Sequence, residues 1–505
     1  MIYPTFAECL AYAQSFSNIP LAIRVKWPSG VDPWHVLATL QPDLQYAVLL
    51  ESGRAGRYTF LACQPESVLY SRQGVTTLTG ADGRRTRIRA NNPLDALRQV
   101  LAGSRTPKLS SLPDFTGGAV GFLSYEMNRF FEPTLSGLAT DDLQLPDLYV
   151  MIFKDVVAFD HDRREIICLT HLDAVDLNEE RYREAAARLK QRADSVVQAA
   201  GADDGTDWES LRKQPIHNHT PVQVSWGQAQ FEEAVRRVQA YIAQGDVFQV
   251  NLSVRQTKPI GVQAPEVYSV LRRLNPSPYM GYLGYPEFQL VSASPELLVK
   301  VKDGEVHTRP IAGTRPRGRD DAEDEALVRE LIDNEKERAE HVMLVDLQRN
   351  DIGRVCRYGS VEVSEFMVVE KYSHVMHIVS HVRGMLAEGK DAFDVVAAVF
   401  PGGTITGAPK VRTMEIIEEL EPVKRGVYTG SIGWFGFDGD MELNIVIRTM
   451  IVKDGMAHVQ AGAGIVIDSE PEAEYAESLK KAEALWKALE LSEQSKKRRE
   501  ETRVR

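Results

Sequence analysis

The sequence predicts an α+β protein in which helices pack on antiparallel strands. Two observations indicate this class: Asp-Gly turns between alternating apolar segments, and amphipathic helices beside the strands. Type I′ hairpin turns favour Asp-Gly because both central residues need positive φ. The three turns are Asp303-Gly304, Asp438-Gly439 and Asp454-Gly455. Hairpins of this kind indicate an α+β pattern rather than βαβ units.

Before residue 201 the pattern predicts strands and hairpins followed by a helix. The apolar segments YVMIFKDVVAFD and EIICLTHL flank the polar turn HDRR, which predicts a hairpin. The next segment, NEERYREAAARLKQRADSVVQAA, has the composition of a helix. Residues 201–223 are polar and aperiodic, so we interpret them as a linker between an N-terminal region, 1–200, and a second region, 224–491.

The second region opens with a helix and a strand. In FEEAVRRVQAYIAQG, the residues Val235, Val238 and Ile242 form one apolar stripe and Gly245 marks the C-terminal end. The segment FQVNLSVRQ then reads as a strand. Residues 492–505 are strongly charged, and we expect a frayed tail there.

Composition narrows the class of protein. The 505 residues include 43% hydrophobic residues and no apolar run or leader that predicts a membrane span or secretion, so we expect a cytoplasmic protein. A net charge of -12 disfavours nucleic acid and anionic membranes as partners. The four cysteines lack CxxC spacing, which argues against a disulfide framework or structural zinc.

Two acidic pairs are the first candidates for a functional site. Glu337 and Glu340, like Glu474 and Glu477, are spaced i,i+3, which places each pair on one helix face. Two such faces brought together predict a site for Mg2+, and Lys481 beside the second pair indicates an anionic substrate. The alternative interpretation is a pair of solvated helix faces.

The loop FPGGTITGAPK precedes an amphipathic helix and superficially resembles a P-loop. The match fails because Lys410 is separated from Gly407 by two residues and is followed by Val411 rather than Ser or Thr. Exposed amides at the helix start, with the hydroxyl of Thr404 or Thr406, still predict an anion site. A tight loop with a capped helix explains the segment equally well.

Three histidines, His374, His377 and His381, have a spacing that would face zinc from a helix. The β-branched run HIVSHV favours a strand, which would scatter them, so an acid/base role for one of them is the better hypothesis.

Further polar candidates lie near predicted strands. Glu296 starts a strand as an acid/base candidate, and Ala312-Gly313-Thr314 is expected in a loop with accessible amides. Arg448, on a strand that reads as buried, needs a charged or planar partner and is an anion-holding candidate, although a structural salt bridge is the competing account.

Residues 224–491 resemble the chorismate-utilising enzymes, a family that includes anthranilate, aminodeoxychorismate, isochorismate and salicylate synthases. Nine ordered motifs carry the resemblance: GDVFQVNLS, SASPELLV, RPIAGTRPRG, KERAEHVMLVDLQRNDIGRV, HVMHIVS, FPGGTITGAPK, IRTM, QAGAGIVIDS and EYAESLKKA. The N-terminal strings LLESGRAGRYTF and FTGGAVGFLSYE extend it to the amino-transferring members. The resemblance implies a large two-sheet antiparallel β-sandwich with helices packed outside.

Single positions then imply which nucleophile is used. Water-using members have a lysine base where this chain has Gln249, and an amide cannot deprotonate water. The strings QVNLS, PGGTITGAPK and ELNIVIRT resemble aminodeoxychorismate synthases, whereas anthranilate synthases tend to have alanine for Gly402 and another residue for Asn444. Ala312 points the other way, because many aminodeoxychorismate synthases carry a lysine there that bonds to the substrate ring. The resemblance therefore favours the large subunit of aminodeoxychorismate synthase, with anthranilate synthase component I as the alternative.

The resemblance also implies roles for residues. Glu340 and Glu477 would hold Mg2+ with Glu337 and Glu474 nearby. The residues implied in catalysis are Glu296, His377 and Thr314. The residues implied at the substrate are Gln249, Ala312, Gly313, Thr404, Tyr428, Arg448, Gly462, Gly464 and Lys481.

Partners are implied in the same way. The substrate would be chorismate, and no cysteine lies in a nucleophile turn of small residues, so ammonia would come from a separate glutamine amidotransferase subunit. A tryptophan-like pocket is implied at Leu50, Glu51, Ser52, Pro278, Tyr279 and Met280. A tryptophan-binding regulatory protein is therefore a third hypothesis.

Overall fold

The protein is described by a computed structural model covering residues 2–52, 56–135, 139–199, 208, 211, 222–371 and 375–504. The predicted linker 201–223 falls almost entirely outside these residues. None of the helices in this part of the chain combines the length and apolarity that a bilayer crossing requires.

Strands and helices cover most of the described chain. The strands before the linker are β1 (Ile2–Tyr3), β2 (Asn18–Lys26), β3 (Ala47–Glu51), β4 (Tyr58–Cys63), β5 (Ser67–Arg72), β6 (Val75–Gly80), β7 (Arg85–Ile88), β8 (Gly118–Leu123), β9 (Leu148–Phe153), β10 (Val156–Asp160) and β11 (Glu165–Asp173). The strands after it are β12 (Gln223–Val224), β13 (Gln249–Pro259), β14 (Tyr279–Gly284), β15 (Phe288–Ser294), β16 (Leu297–Lys302), β17 (Glu305–Thr308), β18 (Ile311–Pro316), β19 (Glu362–Lys371), β20 (Val375–Met385), β21 (Gly407–Ala408), β22 (Ser431–Gly436), β23 (Met441–Ile445), β24 (Thr449–Lys453) and β25 (Met456–Ile465). The α-helices are α1 (Phe6–Tyr12), α2 (Pro33–Leu40), α3 (Pro93–Leu101), α4 (Asn128–Phe131), α5 (Glu179–Gln198), α6 (Gln228–Ala243), α7 (Ala264–Leu274), α8 (Asp321–Asp333), α9 (Glu335–Gly353), α10 (Ala392–Val399), α11 (Lys410–Leu420), α12 (Pro471–Lys480) and α13 (Glu483–Val504).

The strands form two large antiparallel sheets, which confirms the predicted fold class. The first sheet has the order β1-β2-β11-β10-β4-β3-β14-β15-β24-β25-β13-β12, with β21 on β13. The second has the order β18-β20-β17-β16-β23-β22-β8-β9-β5-β6-β7, with β19 on β20. Strands from either side of the linker pair in both sheets, through β3 with β14 and β8 with β22.

One apolar core lies between the sheets and others lie outside them. Strand β9 shows the principle: Tyr149, Met151 and Phe153 belong to the core between the sheets, while Leu148 and Val150 belong to the core under the outer helices. Because successive strand residues point to opposite faces, a strand buried on both faces is apolar throughout.

The predicted turns hold with one difference in geometry. Asp303 and Asp454 have φ of 53 and 51°, each followed by a glycine with positive φ, and they close the two-residue hairpins β16-β17 and β24-β25. The third pair, Asp438-Gly439, lies in a longer connection from β22 to β23 in which only Gly439 has positive φ.

Several local predictions are confirmed. Helix α5 begins after Asn178, whose side chain accepts a hydrogen bond from the amide of Arg181. Helix α6 buries Val235 and Val238, and Gly245 after it has φ of 84°.

The predicted hairpin across HDRR is confirmed, because β10 pairs with β11. The segment YVMIFKDVVAFD holds two strands in different sheets, β9 in the second and β10 in the first. One local prediction is wrong. The C-terminal tail was expected to be frayed, but helix α13 continues through it to Val504.

Candidate active site

The two acidic pairs lie on helices, as predicted. Asn334 caps α9 by accepting a hydrogen bond from the amide of Glu337, at 3.0 Å, which places Glu337 in the first turn and Glu340 one turn later. Glu474 and Glu477 lie on α12, which packs on β25 and α6. Lys336 of α9 lies close enough to Glu474 to lower its pKa, so the start of α9 lies near α12.

Each carboxylate of this group already interacts with the chain. Glu337 pairs with Arg315 at 3.2 Å, and Glu477 pairs with Lys481 at 2.8 Å. Burial raises the pKa of Glu474. The negative charge of Glu477 raises it as well, whereas a hydrogen bond from the Ser469 hydroxyl lowers it. Across the described ranges, no three His, Cys, Asp or Glu side chains are gathered at metal-binding distances. The donors are nevertheless the hard oxygen ligands that Mg2+ prefers, so their chemistry fits this ion.

Gln249 connects the first pair to the sheet. Its side-chain amide donates a hydrogen bond to Glu340 at 3.1 Å, and the residue is 7% exposed. Gly464 of β25 makes room for this amide, because a Cβ at Gly464 would lie 2.2 Å from the Gln249 nitrogen. The absence of a side chain at Gly464 therefore sets the position of the Gln249 amide.

Lys481 links the second pair to the same strand. Its ammonium donates to the carbonyl of Gly462 at 2.9 Å while it pairs with Glu477. Gly462 and Gly464 lie within β25, opposite Ser253 and Asn251 of β13. The structure thus brings Gln249, Glu340 and the two glycines to one end of the first sheet.

Glu296 is a buried carboxyl immediately before β16. It is 7% exposed, and burial raises its pKa to about 7, with the Thr404 hydroxyl and the Arg448 guanidinium acting in the opposite direction. A carboxyl with this pKa holds a proton for part of the time at neutral pH. Such a group can donate a proton to a leaving group.

Arg448 is not on a strand, contrary to the prediction. It lies in the bend between β23 and β24 with φ of 50°, and its carbonyl accepts a hydrogen bond from the amide of Ala293. Burial lowers the pKa of Arg448, opposed by Glu296. Its guanidinium forms no hydrogen bond or salt bridge within the described residues and acts electrostatically on Glu296 and His377, so it remains an anion-holding candidate rather than a structural salt bridge.

His377 lies on β20 and contacts β18. Its Nδ1 is 3.0 Å from the carbonyl oxygen of Gly313 and 3.0 Å from the hydroxyl of Thr314. Because a carbonyl can only accept, Nδ1 carries the proton and Nε2 is the acceptor of the neutral ring. Burial lowers the pKa of His377, which favours this neutral form.

The segment Ala312-Gly313-Thr314 is a strand and not the predicted loop. Strand β18 pairs with β20 and has a register shift between Ala312 and Thr314, where Gly313 has φ of 63°. A Cβ at Gly313 would lie 2.9 Å from Glu337. The bulge therefore brings β18 against the start of α9, beside the first acidic pair.

The glycine-rich loop after Phe400 is an ordered connection to α11. Lys410 is not available for an anion, because its ammonium pairs with Asp351 of α9 at 2.5 Å and donates to the carbonyl of Val399. Thr406 donates to the carbonyl of Gly402, whereas Thr404 faces Glu296. The predicted anion role therefore remains only for Thr404 among these side chains.

Tyr428 is buried beside an arginine that the sequence reasoning missed. Arg425 lies 5.6 Å from the ring of Tyr428 and pairs with Glu421 at 2.7 Å. Burial raises the pKa of Tyr428. The sequence shows the four-residue spacing of Glu421 and Arg425, but only the fold shows that both side chains are buried.

The zinc hypothesis for three histidines receives no support from the described part. The run HIVSHV lies on strand β20, as predicted, where His381 pairs with His307 rather than with His377. His374 lies outside the described residues. The four cysteines are all buried and free.

A cavity of about 430 Å³ lies between the sheets, and none of the residues of the two acidic pairs lines it. All six residues of the predicted tryptophan-like pocket line it: Leu50, Glu51, Ser52, Pro278, Tyr279 and Met280. The Glu51 carboxylate accepts hydrogen bonds from Arg272 at 2.6 Å and from Tyr268 at 2.7 Å. Trp434 and Asn444 also line the cavity.

Comparisons with known proteins point to one family. The family described as chorismate binding enzyme matches residues 21–487. Aminodeoxychorismate synthase component 1 of Bacillus subtilis (strain 168) is 49% identical over 466 residues, covering 92% of this chain and 95% of that protein. Anthranilate synthase component 1 of Thermus thermophilus is 45% identical over 455 residues, covering 88% and 91%.

A solved structure has the same fold. The crystal structure of anthranilate synthase component I from Streptococcus pneumoniae TIGR4 has a TM-score of 0.73 and 36% sequence identity, covering 92% of this chain and 99% of that chain. These three relatives carry two enzyme names, and the alignments to them cover 88–92% of this chain.

Proposed function

The chain belongs to the family of chorismate binding enzymes, and we propose that within it the chain is the large subunit of an aminodeoxychorismate synthase. In this proposal the protein aminates chorismate to 4-amino-4-deoxychorismate, a step towards 4-aminobenzoate and folate. The ammonia comes from a glutamine amidotransferase partner, and Mg2+ is the cofactor.

The observation that carries the proposal is the 49% identity to aminodeoxychorismate synthase component 1 of Bacillus subtilis. The anthranilate synthase of Thermus thermophilus is 45% identical over a slightly shorter alignment. The strings QVNLS, PGGTITGAPK and ELNIVIRT support the same choice. Anthranilate synthases tend to have alanine in place of Gly402. A methyl group there would lie 2.9 Å from the side chain of Ile445, and the amide of Ile445 donates a hydrogen bond to the carbonyl of Glu296.

The site favours ammonia over water as the nucleophile. Gln249 donates its amide to Glu340 and offers no basic group, so it cannot deprotonate water at that position. Ammonia needs no such activation, because its neutral form is already nucleophilic. The Gln249 amide therefore supports amination rather than hydroxylation of the ring.

Glu296 is the proton donor that the geometry favours. Hydroxide is a poor leaving group, so loss of the 4-hydroxyl of chorismate requires a proton. The pKa of Glu296 is raised to about 7, whereas His377 is neutral and presents an acceptor nitrogen. His377, held by Thr314 and the Gly313 carbonyl, therefore acts as a hydrogen-bond acceptor or base beside the ring.

The two acidic pairs are the proposed Mg2+ ligands. Glu340 and Glu477 would hold the ion directly, with Glu337 and Glu474 beside them. A bound Mg2+ would neutralise and orient a carboxylate of chorismate.

Other residues hold the anionic substrate. Lys481 and Arg448 supply positive charge for the carboxylate oxygens of chorismate, and Arg448 is suited to this because its buried guanidinium forms no hydrogen bond or salt bridge within the described residues and lies near Glu296. Thr404 and Tyr428 supply hydroxyl contacts, and backbone amides near Gly462 and Gly464 complete the set.

The chain supplies no glutaminase of its own in this proposal. A glutaminase needs a reactive cysteine, and the four cysteines here are buried and free. Burial raises the pKa of Cys168 to about 12 and that of Cys9 to about 11, which suppresses the thiolate form. A separate amidotransferase subunit therefore provides ammonia.

Anthranilate synthase component I is the second candidate. Ala312 supports it, because the lysine that bonds the ring in many aminodeoxychorismate synthases is absent. In that reaction ammonia adds at ring carbon 2 and pyruvate is eliminated. With Ala312, a lysine-linked intermediate cannot form at this position in either reaction.

Tryptophan binding is the third candidate, and the cavity of about 430 Å³ supports it. This volume lies within the usual range for small-molecule sites. Calorimetry with tryptophan tests binding, and an inhibition curve separates a structural ligand from a regulator. Turnover of chorismate by the tryptophan-bound protein would exclude a purely regulatory role.

One assay tests the proposed reaction. Purified protein is incubated with chorismate, Mg2+ and ammonium at alkaline pH, with and without a lyase that converts 4-amino-4-deoxychorismate to 4-aminobenzoate. We expect 4-aminobenzoate only when the lyase is present, and no anthranilate fluorescence. Prompt anthranilate formation without the lyase would assign the chain to the second candidate.

A further inference from the structure

Arg425 is one of the most deeply buried charged residues of the protein. It follows α11, is 2% exposed, and has its guanidinium carbon 4.9 Å from the centre of the Tyr125 ring and 5.6 Å from that of the Tyr428 ring. Burial lowers its pKa, but Glu421 outweighs burial and raises the pKa above its ordinary value. A charged guanidinium buried to this extent requires a complete set of acceptors.

All five N–H groups of Arg425 have acceptors. Nε donates to Glu421 at 2.9 Å, and Nη2 donates to Glu421 at 2.7 Å and to the carbonyl of Asn251 at 2.8 Å. Nη1 donates to the carbonyl of Ile405 at 3.0 Å and to the hydroxyl of Thr429 at 3.3 Å. An arginine has five such donors in a rigid planar fork, whereas a lysine has three on a flexible stem.

The acceptors belong to three separate segments that carry proposed substrate contacts. Asn251 lies two residues after Gln249 on β13, and Ile405 follows Thr404 in the glycine-rich loop. Thr429 follows Tyr428, and its hydroxyl also donates to the Tyr428 carbonyl at 2.6 Å.

Glu421 strengthens the connection to β13. Its carboxylate accepts from both the amide and the hydroxyl of Ser253, at 2.9 and 2.8 Å. The ion pair of Glu421 and Arg425 is therefore hydrogen-bonded to Asn251 and Ser253 of β13. It is also hydrogen-bonded to Ile405 in the glycine-rich loop and to Thr429 after Tyr428.

We propose that Arg425 is the positioning residue of the chorismate site, which fixes Gln249, Thr404 and Tyr428 relative to one another through backbone carbonyls and Thr429. The inference rests on the proposed function, because it deepens the account of the same site. Arg425 does not touch substrate. A displacement of about 1 Å in such a contact costs about 100-fold in rate.

The test compares Arg425→Lys with the double variant Glu421→Gln/Arg425→Met. The lysine variant keeps the buried positive charge but cannot bond all three segments. The single loss of Arg425 would leave Glu421 buried and uncompensated, which destabilises folding; the double variant avoids this because it removes both charges. Arg255→Met is the matched control, since Arg255 is a buried arginine on the same β13 that pairs with Asp142.

Chorismate consumption is measured with Mg2+ and ammonium, at temperatures where circular dichroism shows each variant fully folded. We expect kcat to fall about 100-fold in Arg425→Lys and in the folded double variant, with KM changed less than about threefold, and kcat to be nearly unchanged in Arg255→Met. A kcat within about threefold of wild type in the folded double variant would overturn the proposal and leave Arg425 as a structural ion pair. Consumption is scored whatever the product, so an anthranilate product would refute the proposed function without affecting this test.

Discussion

Glu296→Gln is expected to make the protein more stable at alkaline pH and much less active. The folded pKa of Glu296 is raised from 4.5 to about 7 by burial. A raised carboxyl pKa favours the folded state most at low pH, below the unfolded pKa, and this stability is lost as pH rises through the folded pKa. Glutamine mimics the protonated acid and does not titrate, so the variant keeps this stability at alkaline pH.

The magnitude follows from the two pKa values. A shift of one unit corresponds to about 1.36 kcal/mol. Between pH 5 and pH 8.5, the free energy of unfolding of wild type is expected to fall by about 2.5 kcal/mol relative to that of the variant. Loss of a general acid should also lower kcat by about 100- to 10,000-fold.

The assay is urea unfolding of wild type and Glu296→Gln at both pH values, followed by chorismate turnover. Asp438→Asn is the control. Burial and Asp440 raise the pKa of Asp438 to about 6, so the Asp438→Asn protein should also gain stability over wild type as the pH rises. Asp438 lies in the connection from β22 to β23 and its variant should keep its kcat. A stability difference between wild type and Glu296→Gln that is equal at the two pH values would show that Glu296 has no raised pKa, and a wild-type kcat in the variant would exclude Glu296 as the proton donor.

Three further outcomes are expected. Gly464→Ala should place a methyl group against the Gln249 amide and lower kcat about 100-fold, whereas Gly121→Ala, whose Cβ would lie 2.1 Å from the Tyr149 carbonyl in the second sheet, should mainly lower the urea midpoint; equal effects on rate and stability in both would contradict this. Lys481→Met should raise KM for chorismate about 10- to 100-fold while thermal unfolding changes little, because a half-exposed ion pair stabilises by at most about 1 kcal/mol; an unchanged KM would remove Lys481 from the site. Chelation of divalent cations should abolish turnover, Mg2+ should restore it, and Glu340→Gln should weaken Mn2+ binding measured by electron paramagnetic resonance; full activity after chelation would exclude the metal.

Local chemistry explains what the sequence predicted well. The Asp-Gly turns at Asp303 and Asp454 fix their hairpins because the turn type demands positive φ, which is a property of neighbouring residues alone. The i,i+3 spacing of Glu337 and Glu340 likewise follows from helix geometry.

Long-range packing explains what it did not predict. The segment from Tyr149 to Asp160 divides between two sheets because the strands that pair with each half lie far away in the chain. The sequence does not indicate the role of Arg425, because two of its acceptors are backbone carbonyls that no residue pattern reveals. The positive φ of Arg448 and the bulge at Gly313 likewise depend on pairing with distant strands.

The position of the new nitrogen on the ring distinguishes an aminodeoxychorismate synthase from an anthranilate synthase. The protein is incubated with chorismate, Mg2+ and 15N-ammonium, and the product is examined by nuclear magnetic resonance. We expect 15N on ring carbon 4 with the enolpyruvyl group retained. A product with 15N on ring carbon 2 and free pyruvate in solution would contradict this expectation.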